Sequence, residues 1–217
     1  MHGKNVMKKT KIKICGITST EELKWLMEEK VEYAGVVLFY KGSKRYCASE
    51  QAECIVKMAK EQGEIIMVAV CVSPTLEEMK LVCDMGFDMI QIHGEINTQT
   101  ISQSKIPVIR AYSHEHIPEE AYAKEPNLSA ILIDSVRPGS GEAYGWNQLE
   151  QKDIQKIRSS GRKVFLAGGL QYDNVSLAIQ IVGPDVVDCS SGVERDGLKG
   201  KDREKIRNFV REVRRYE

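Results

Sequence analysis

Cys15 closes a short apolar run, Lys11-Ile12-Lys13-Ile14-Cys15, and Gly16-Ile17-Thr18 follows at once. A thiol at the C-terminal tip of a strand sits where α/β proteins carry their chemistry. As a thiolate it is a base or nucleophile; as a thiol it packs like any small apolar group. Asp134 ends a second such run, Ala130-Ile131-Leu132-Ile133-Asp134, before the glycine-bearing stretch Pro138-Gly139-Ser140-Gly141, which is suited to covering a ligand. A carboxyl at a dry strand end has its pKa raised, as a proton donor at neutral pH requires, and the ordinary alternative is an Asp capping the next turn. Arg45, in Phe39-Tyr40-Lys41-Gly42-Ser43-Lys44-Arg45, can hold a carboxylate with two parallel hydrogen bonds or be an ordinary surface arginine. His93, in Gln91-Ile92-His93-Gly94, is a candidate base, although a histidine there more often fixes backbone by hydrogen bonding.

Two further strand ends are rich in small residues. Leu166-Ala167-Gly168-Gly169-Leu170 precedes Asp173 and Asn174, either of which can start a helix, and Asp188-Cys189-Ser190-Ser191-Gly192 ends the last apolar run. Backbone N–H groups of two such turns side by side form a nest for a phosphate, with close packing at tight turns as the simpler alternative. A phosphate grip, a thiol and a carboxylic acid are the equipment for moving protons on a phosphorylated small molecule.

The elements that must position these groups alternate. Apolar, β-branched runs lie at 11–15, 34–39, 65–72, 88–92, 106–110, 130–133, 163–167 and 185–189. Helical periodicity lies between most of them: Leu23, Leu26 and Met27 share one face, as do Ile55, Met58 and Ala59, and Leu76, Met79, Val82 and Cys83. Lys201 to Arg215 carries Ile206, Phe209, Val210 and Val213 at helical spacing. Thr18 with Glu21 three residues on has the spacing of a capping box opening the first helix. The weakest helical segments follow the fourth and fifth runs, where Asn97–Ser104 is short and polar and Pro118 and Pro126 bracket the other. Eight strand–helix repeats in about 200 residues predict an α/β fold, a single closed (β/α)₈ barrel over residues 11–217 behind a polar extension at 1–10, rather than an open doubly wound sheet.

Composition narrows the partners. Lys plus Arg equals Asp plus Glu, 31 each, so no global field attracts nucleic acid or an anionic membrane, and any anion must be held by local groups. No apolar run approaches a membrane span, and the N-terminal residues lack the apolar stretch of a signal peptide. Six cysteines, 15, 47, 54, 71, 83 and 189, lack CxxC pairs and metal-ligand spacing. They read as reduced thiols in a cytoplasm, with no metal site.

Taken together, Lys13-Ile14-Cys15-Gly16-Ile17-Thr18, Gln91-Ile92-His93-Gly94, Leu166-Ala167-Gly168-Gly169-Leu170 with Asn174-Val175, and Asp188 through Ser190-Ser191-Gly192-Val193-Glu194 resemble the phosphoribosylanthranilate isomerases of tryptophan biosynthesis, in order and over nearly the whole chain. The resemblance implies a (β/α)₈ barrel that carries out an Amadori rearrangement of N-(5-phosphoribosyl)anthranilate, without cofactor or metal. It implies Cys15 as general base, with its thiol pKa lowered toward neutral, and Asp134 as general acid. It further implies Arg45 on the anthranilate carboxylate, backbone amides around Gly168, Gly169, Ser190, Ser191 and Gly192 on the phosphate, and contact with other tryptophan-pathway enzymes. The chain departs from the family pattern at Leu38, Cys71 and Ser73, in Pro138-Gly139-Ser140-Gly141 and Tyr144-Gly145-Trp146, and in the late arrival of Lys201-Asp202. A related phosphosugar aldose–ketose isomerase, and a catalytically silent barrel that binds a phosphorylated metabolite, are the alternatives.

Overall fold

A computed structural model describes residues 9–113, 115–119, 125–134 and 151–215. Its strands are β1 (Lys11–Cys15), β2 (Tyr33–Val37), β3 (Ile66–Val72), β4 (Met89–His93), β5 (Val108–Ser113), β6 (Leu128–Asp134), β7 (Lys163–Leu166) and β8 (Val186–Cys189). The helices between and after them are α1 (Thr20–Glu28), α2 (Ser49–Gln62), α3 (Leu76–Asp84), α4 (Thr98–Ser102), α5 (Gln151–Ser159), α6 (Val175–Val182) and α7 (Arg203–Arg214), with one 3₁₀ turn at Ser191–Val193. Every neighbouring pair of strands is parallel, and β8 returns to β1 to close the ring. The expected eight-stranded closed barrel is the observed fold.

Alternation along each strand sorts the side chains into two apolar layers. Ile12 and Ile14 of β1 belong to the larger layer, between strands and helices, with Leu23, Ile55 and Phe209. Cys15, Tyr33, Val68, Ile109, Leu132 and Phe165 belong to a second, smaller cluster that fills the barrel. Tyr33 and Phe165 meet edge to face within it, their ring centroids 5.4 Å apart. The interior is not wholly apolar: Lys13 lies level with Tyr33, and Gln91, Asp134 and Asp188 follow the apolar residues of their strands, all four buried. Polar groups enter a barrel interior only with partners or with work to do.

Two local expectations are corrected. The first helix is capped by Ser19, whose hydroxyl accepts from the Glu22 amide, and not by Thr18. The Glu22 carboxylate instead accepts the Thr18 and Lys201 backbone N–H groups at 2.6 Å each, tying the β1–α1 turn to the segment that enters α7. The fifth strand also runs later than the apolar pattern, as Val108–Ser113 rather than 106–110. Pro107 has no N–H to pair. Arg110 is tolerated inside the strand because its guanidinium donates to the Ile92 and Gly94 carbonyls at 2.8 and 2.9 Å and stacks over Tyr112. Residues 1–8, and part of the segment between β5 and β6 that was read as a weak helix, lie outside the described residues. Among the described residues, no helix is long and apolar enough to cross a membrane.

Candidate active site

One cavity at the C-terminal ends of the strands is lined by Cys15, Arg45, Asp134, Gly168, Gly169, Ser190 and Ser191. These come from five different strand ends, so the closed ring brings together residues far apart in sequence. Gly192 does not line it. Its amide is turned toward the buried Cys189 thiol, and a Cβ there would lie 2.2 Å from the Leu170 carbonyl. Gly192 therefore lets the turns after β7 and β8 approach each other, the close-packing use of a glycine.

The turn after β7 places Gly168 and Gly169 consecutively at positive φ, 90° and 63°. Asn174 fixes that turn, its amide donating to the Gly169 carbonyl at 2.9 Å and its oxygen accepting the Gln171 N–H at 2.8 Å. After β8, the Ser190 hydroxyl donates to the Cys15 carbonyl at 2.8 Å, lacing the last strand end to the first. Lys201, only 1% exposed, reaches in from the start of α7 and donates to the Ser190 carbonyl at 3.1 Å. This lysine, which the sequence shows merely as an offset, holds the β8 turn from behind.

Cys15 pairs in register with Gly35 of β2. A Cβ at Gly35 would fall 2.9 Å from the Cys15 sulfur and 3.2 Å from Lys13 Nζ, so two reactive groups converge over a residue that has no side chain. Burial pushes the Cys15 thiol above its ordinary pKa and Asp188 adds to that, against the lowering by Lys13, Lys201 and Arg45. The expected fall toward neutral is thus not a property of the protein by itself: the cations are in place, but desolvation outweighs them. Gly35→Ala should displace both the sulfur and the ammonium. Its turnover is expected to drop by more than about tenfold, by the overpacking cost at a well-filled site, with the melting temperature lowered as well. Steady-state rates beside a thermal melt check this.

Arg45 is oriented by Glu194, whose carboxylate accepts its Nε–H at 2.5 Å and also takes Lys44 at 2.6 Å. Burial works to raise the Glu194 carboxyl, but hydrogen bonds from Arg45 and Lys44 and the nearby Lys201 charge hold it at about 2. Arg45 Nη2 is buried without a hydrogen-bond partner. A second cavity adjoins the first through Ser43 and Arg45, and Lys41, Lys44, Arg195, Lys199 and Lys201 all line it. The local cationic ground that a net-neutral chain must supply for an anion is here.

His93 accepts from the Gln91 side-chain amide at 2.8 Å, so its bond is to a side chain rather than to backbone. Burial, with Lys13 and Arg110 nearby, lowers its pKa to about 4, which keeps it neutral through the physiological range. Gln91 Oε1 and Asp188 Oδ1 are buried without partners and both residues line the first cavity. Two orphan acceptors and one orphan donor, Arg45 Nη2, thus gather around one space, an arrangement that suits a ligand bearing hydroxyls and an acid group.

A family model described as N-(5'phosphoribosyl)anthranilate (PRA) isomerase matches residues 12–212. The chain belongs to this family. A phosphoribosylanthranilate isomerase of Streptococcus mutans is 37% identical over 207 residues, covering 95% of this chain and all of that protein. The crystal structure of a phosphoribosyl anthranilate isomerase from Thermus thermophilus superposes with a TM-score of 0.79 at 30% identity, covering 96% of this chain and all of that one. Another phosphoribosyl anthranilate isomerase, solved in complex with reduced 1-(o-carboxyphenylamino)-1-deoxyribulose 5-phosphate, gives 0.75 at 29% identity over 94% of this chain and 98% of that one.

The departures from the family pattern have structural places. Leu38 and Cys71 are buried in the layer beneath the helices, where burial holds the Cys71 thiol at about 12. Ser73 takes a positive φ of 45°, and its hydroxyl accepts the Glu95 amide at 2.9 Å, joining the ends of β3 and β4. The Pro138–Gly141 and Tyr144–Trp146 departures lie outside the described residues.

Proposed function

We propose that this protein is a phosphoribosylanthranilate isomerase acting in tryptophan biosynthesis. It converts N-(5-phosphoribosyl)anthranilate to 1-(2-carboxyphenylamino)-1-deoxyribulose 5-phosphate by general acid–base catalysis, without cofactor. The observation that carries this reading is the single cavity that joins Cys15 and Asp134 to Arg45 and to the turns at Gly168–Gly169 and Ser190–Ser191.

In this reading the phosphate lies against the backbone amides of those two turns, and Arg45 holds the anthranilate carboxylate with the nitrogens that Glu194 does not engage. Asp134 donates a proton to the ribose ring oxygen. The C1′–O bond breaks, and the anilinic nitrogen pair forms a C1′–N double bond. The Cys15 thiolate then removes the C2′ proton. The released electron pair forms the C1′–C2′ double bond and neutralises the nitrogen, giving an enaminol that tautomerises to the ketone. The cationic cavity beside Arg45 gives the aromatic acid somewhere to rest while the sugar end reacts. Six unbridged cysteines accord with work in the cytoplasm, and contact with other tryptophan-pathway enzymes belongs to the same reading.

The test follows loss of the substrate's anthranilate fluorescence when the purified protein is added. Turnover supports the reading. A folded protein that binds the product analogue and never turns over the substrate would make it a silent phosphometabolite-binding barrel.

A further inference from the structure

Lys13 is the most deeply buried charge in the barrel interior. It is 0% exposed, and its ammonium donates to Asp188 Oδ2 at 2.7 Å across the closing pair of strands, where Lys13 and Asp188 stand in register. A buried ammonium–carboxylate pair rarely stabilises a fold more than apolar residues of the same volume would. Its location gives it another use. Lys13 and Cys15 are two apart on β1 and so share its inward face. The ammonium and the Cys15 sulfur both crowd the spot left open by Gly35, 3.2 and 2.9 Å from where its Cβ would lie. Asp188 holds the ammonium through one oxygen while its other oxygen is buried without a partner.

We propose that Lys13 is a positioning residue for the base: anchored by Asp188, its ammonium stabilises the Cys15 thiolate, and Asp188 limits how far it does so. The inference rests on Cys15 being the base. Its content is a division of one cation between two anions. Without the thiolate, Lys13 belongs to Asp188. When the thiol gives up its proton, the same ammonium faces a second negative charge and binds both. The carboxylate holds Lys13 in place and at the same time disfavours the thiolate, so removing Lys13 and removing the Asp188 charge must move the thiol in opposite directions.

The other groups around Cys15 do not supply this pattern. Gly35 of β2 carries no charge. Arg45 and Lys201 are cationic and are untouched by either substitution, Cys189 of β8 is a neutral thiol held at about 12, and His93 of β4 is neutral above about 4. Asp134 of β6 lines the same cavity and is likewise common to every variant.

The experiment is alkylation of Cys15 by iodoacetamide across pH in the full chain. Peptide mass spectrometry follows Cys15, so that the exposed Cys54 and half-buried Cys83 do not contribute. No substrate is involved, so failure of the isomerase reading and failure of this inference are separate results. K13M should shift the rise in reactivity to higher pH and slow alkylation roughly tenfold at pH 7, the scale of losing one adjacent charge. D188N should shift the rise to lower pH and react several-fold faster than wild type. If K13M does not fold with Asp188 left alone, the double variant K13M/D188N removes both charges and must react more slowly than D188N. Profiles that stay in place, or that move in the same direction for the two single variants, overturn the proposal. With a catalytically active enzyme, the acid limb of kcat/KM should follow the same two opposite shifts.

Discussion

Cys15→Ala is expected to lose about 10⁴-fold in turnover of N-(5-phosphoribosyl)anthranilate, the upper end of what one general base contributes, while still binding the product analogue. The separation follows from how the residue is built in. Its sulfur faces the cavity, whereas its backbone pairs with Gly35 and its carbonyl accepts the Ser190 hydroxyl. Alanine keeps the backbone contacts and removes only the sulfur proposed as the base. The two turns proposed to hold the phosphate, and Arg45, do not depend on the sulfur, so a fluorescence titration with the product analogue should change little. Wild-type turnover in this variant would move the base elsewhere, and His93, neutral and hydrogen-bonded to Gln91, would be examined next.

The same residue sets a pH dependence with a definite sign. Burial and Asp188 place the thiol above its ordinary range in the protein alone. A base works only when deprotonated, so kcat/KM, which reports the free enzyme, should rise toward alkaline pH through the titration of Cys15. Ring opening then puts a positive charge on the C1′–N group, one bond from the carbon to be deprotonated. A cation at that distance favours the thiolate. The corresponding limb of kcat should therefore lie at lower pH than that of kcat/KM, and both limbs should vanish in Cys15→Ala. Coincident limbs would mean that the substrate's own charge does not help to activate the base.

Much of this site was legible in the sequence because it lies at strand ends, where apolar runs stop abruptly. Cys15 and Asp134 end such runs, the two small-residue turns follow directly on others, and the closed barrel gathers them at one mouth. Arg45 was legible for a different reason, as a cation in a glycine-bearing loop after β2. What stayed hidden was whatever depends on pairing across the ring. Lys13 interrupts an apolar run as an ordinary edge lysine would, and only its register with Asp188, 175 residues away, makes it an interior ion pair. The spacing of two between Lys13 and Cys15 was the available signal, since alternate residues share a face. Glu194 and Lys201 were hidden likewise, because their work is done on Arg45 and on the Ser190 turn rather than at a strand end of their own. The cap of α1 was misplaced by one residue because the Ser19 hydroxyl takes the Glu22 amide, while the Glu22 carboxylate bonds the neighbouring Thr18 amide and the distant Lys201 amide. The end of β5 was missed because Arg110 is buried by neighbouring carbonyls that no local pattern announces.

Asp134→Asn is expected to reduce turnover by about 10³-fold or more, within the range for losing a general acid, with little change in KM. Asp134 ends β6 in register with Ser113 of β5, is 8% exposed, and lines the cavity that also holds Cys15. Asparagine fills the same volume and still offers hydrogen bonds, but it has no proton to release to a ring oxygen as the C1′–O bond breaks. A carboxyl that merely capped the following turn would tolerate the amide, and its loss would show in the melting temperature rather than in kcat. The two proton transfers occur in sequence on one substrate, so their losses should not multiply. The Cys15→Ala, Asp134→Asn double variant should be little slower than the slower of the two single variants. A fully multiplicative loss would instead mean that acid and base contribute independently to one rate-limiting transition state, with ring opening and C2′ deprotonation no longer separate steps.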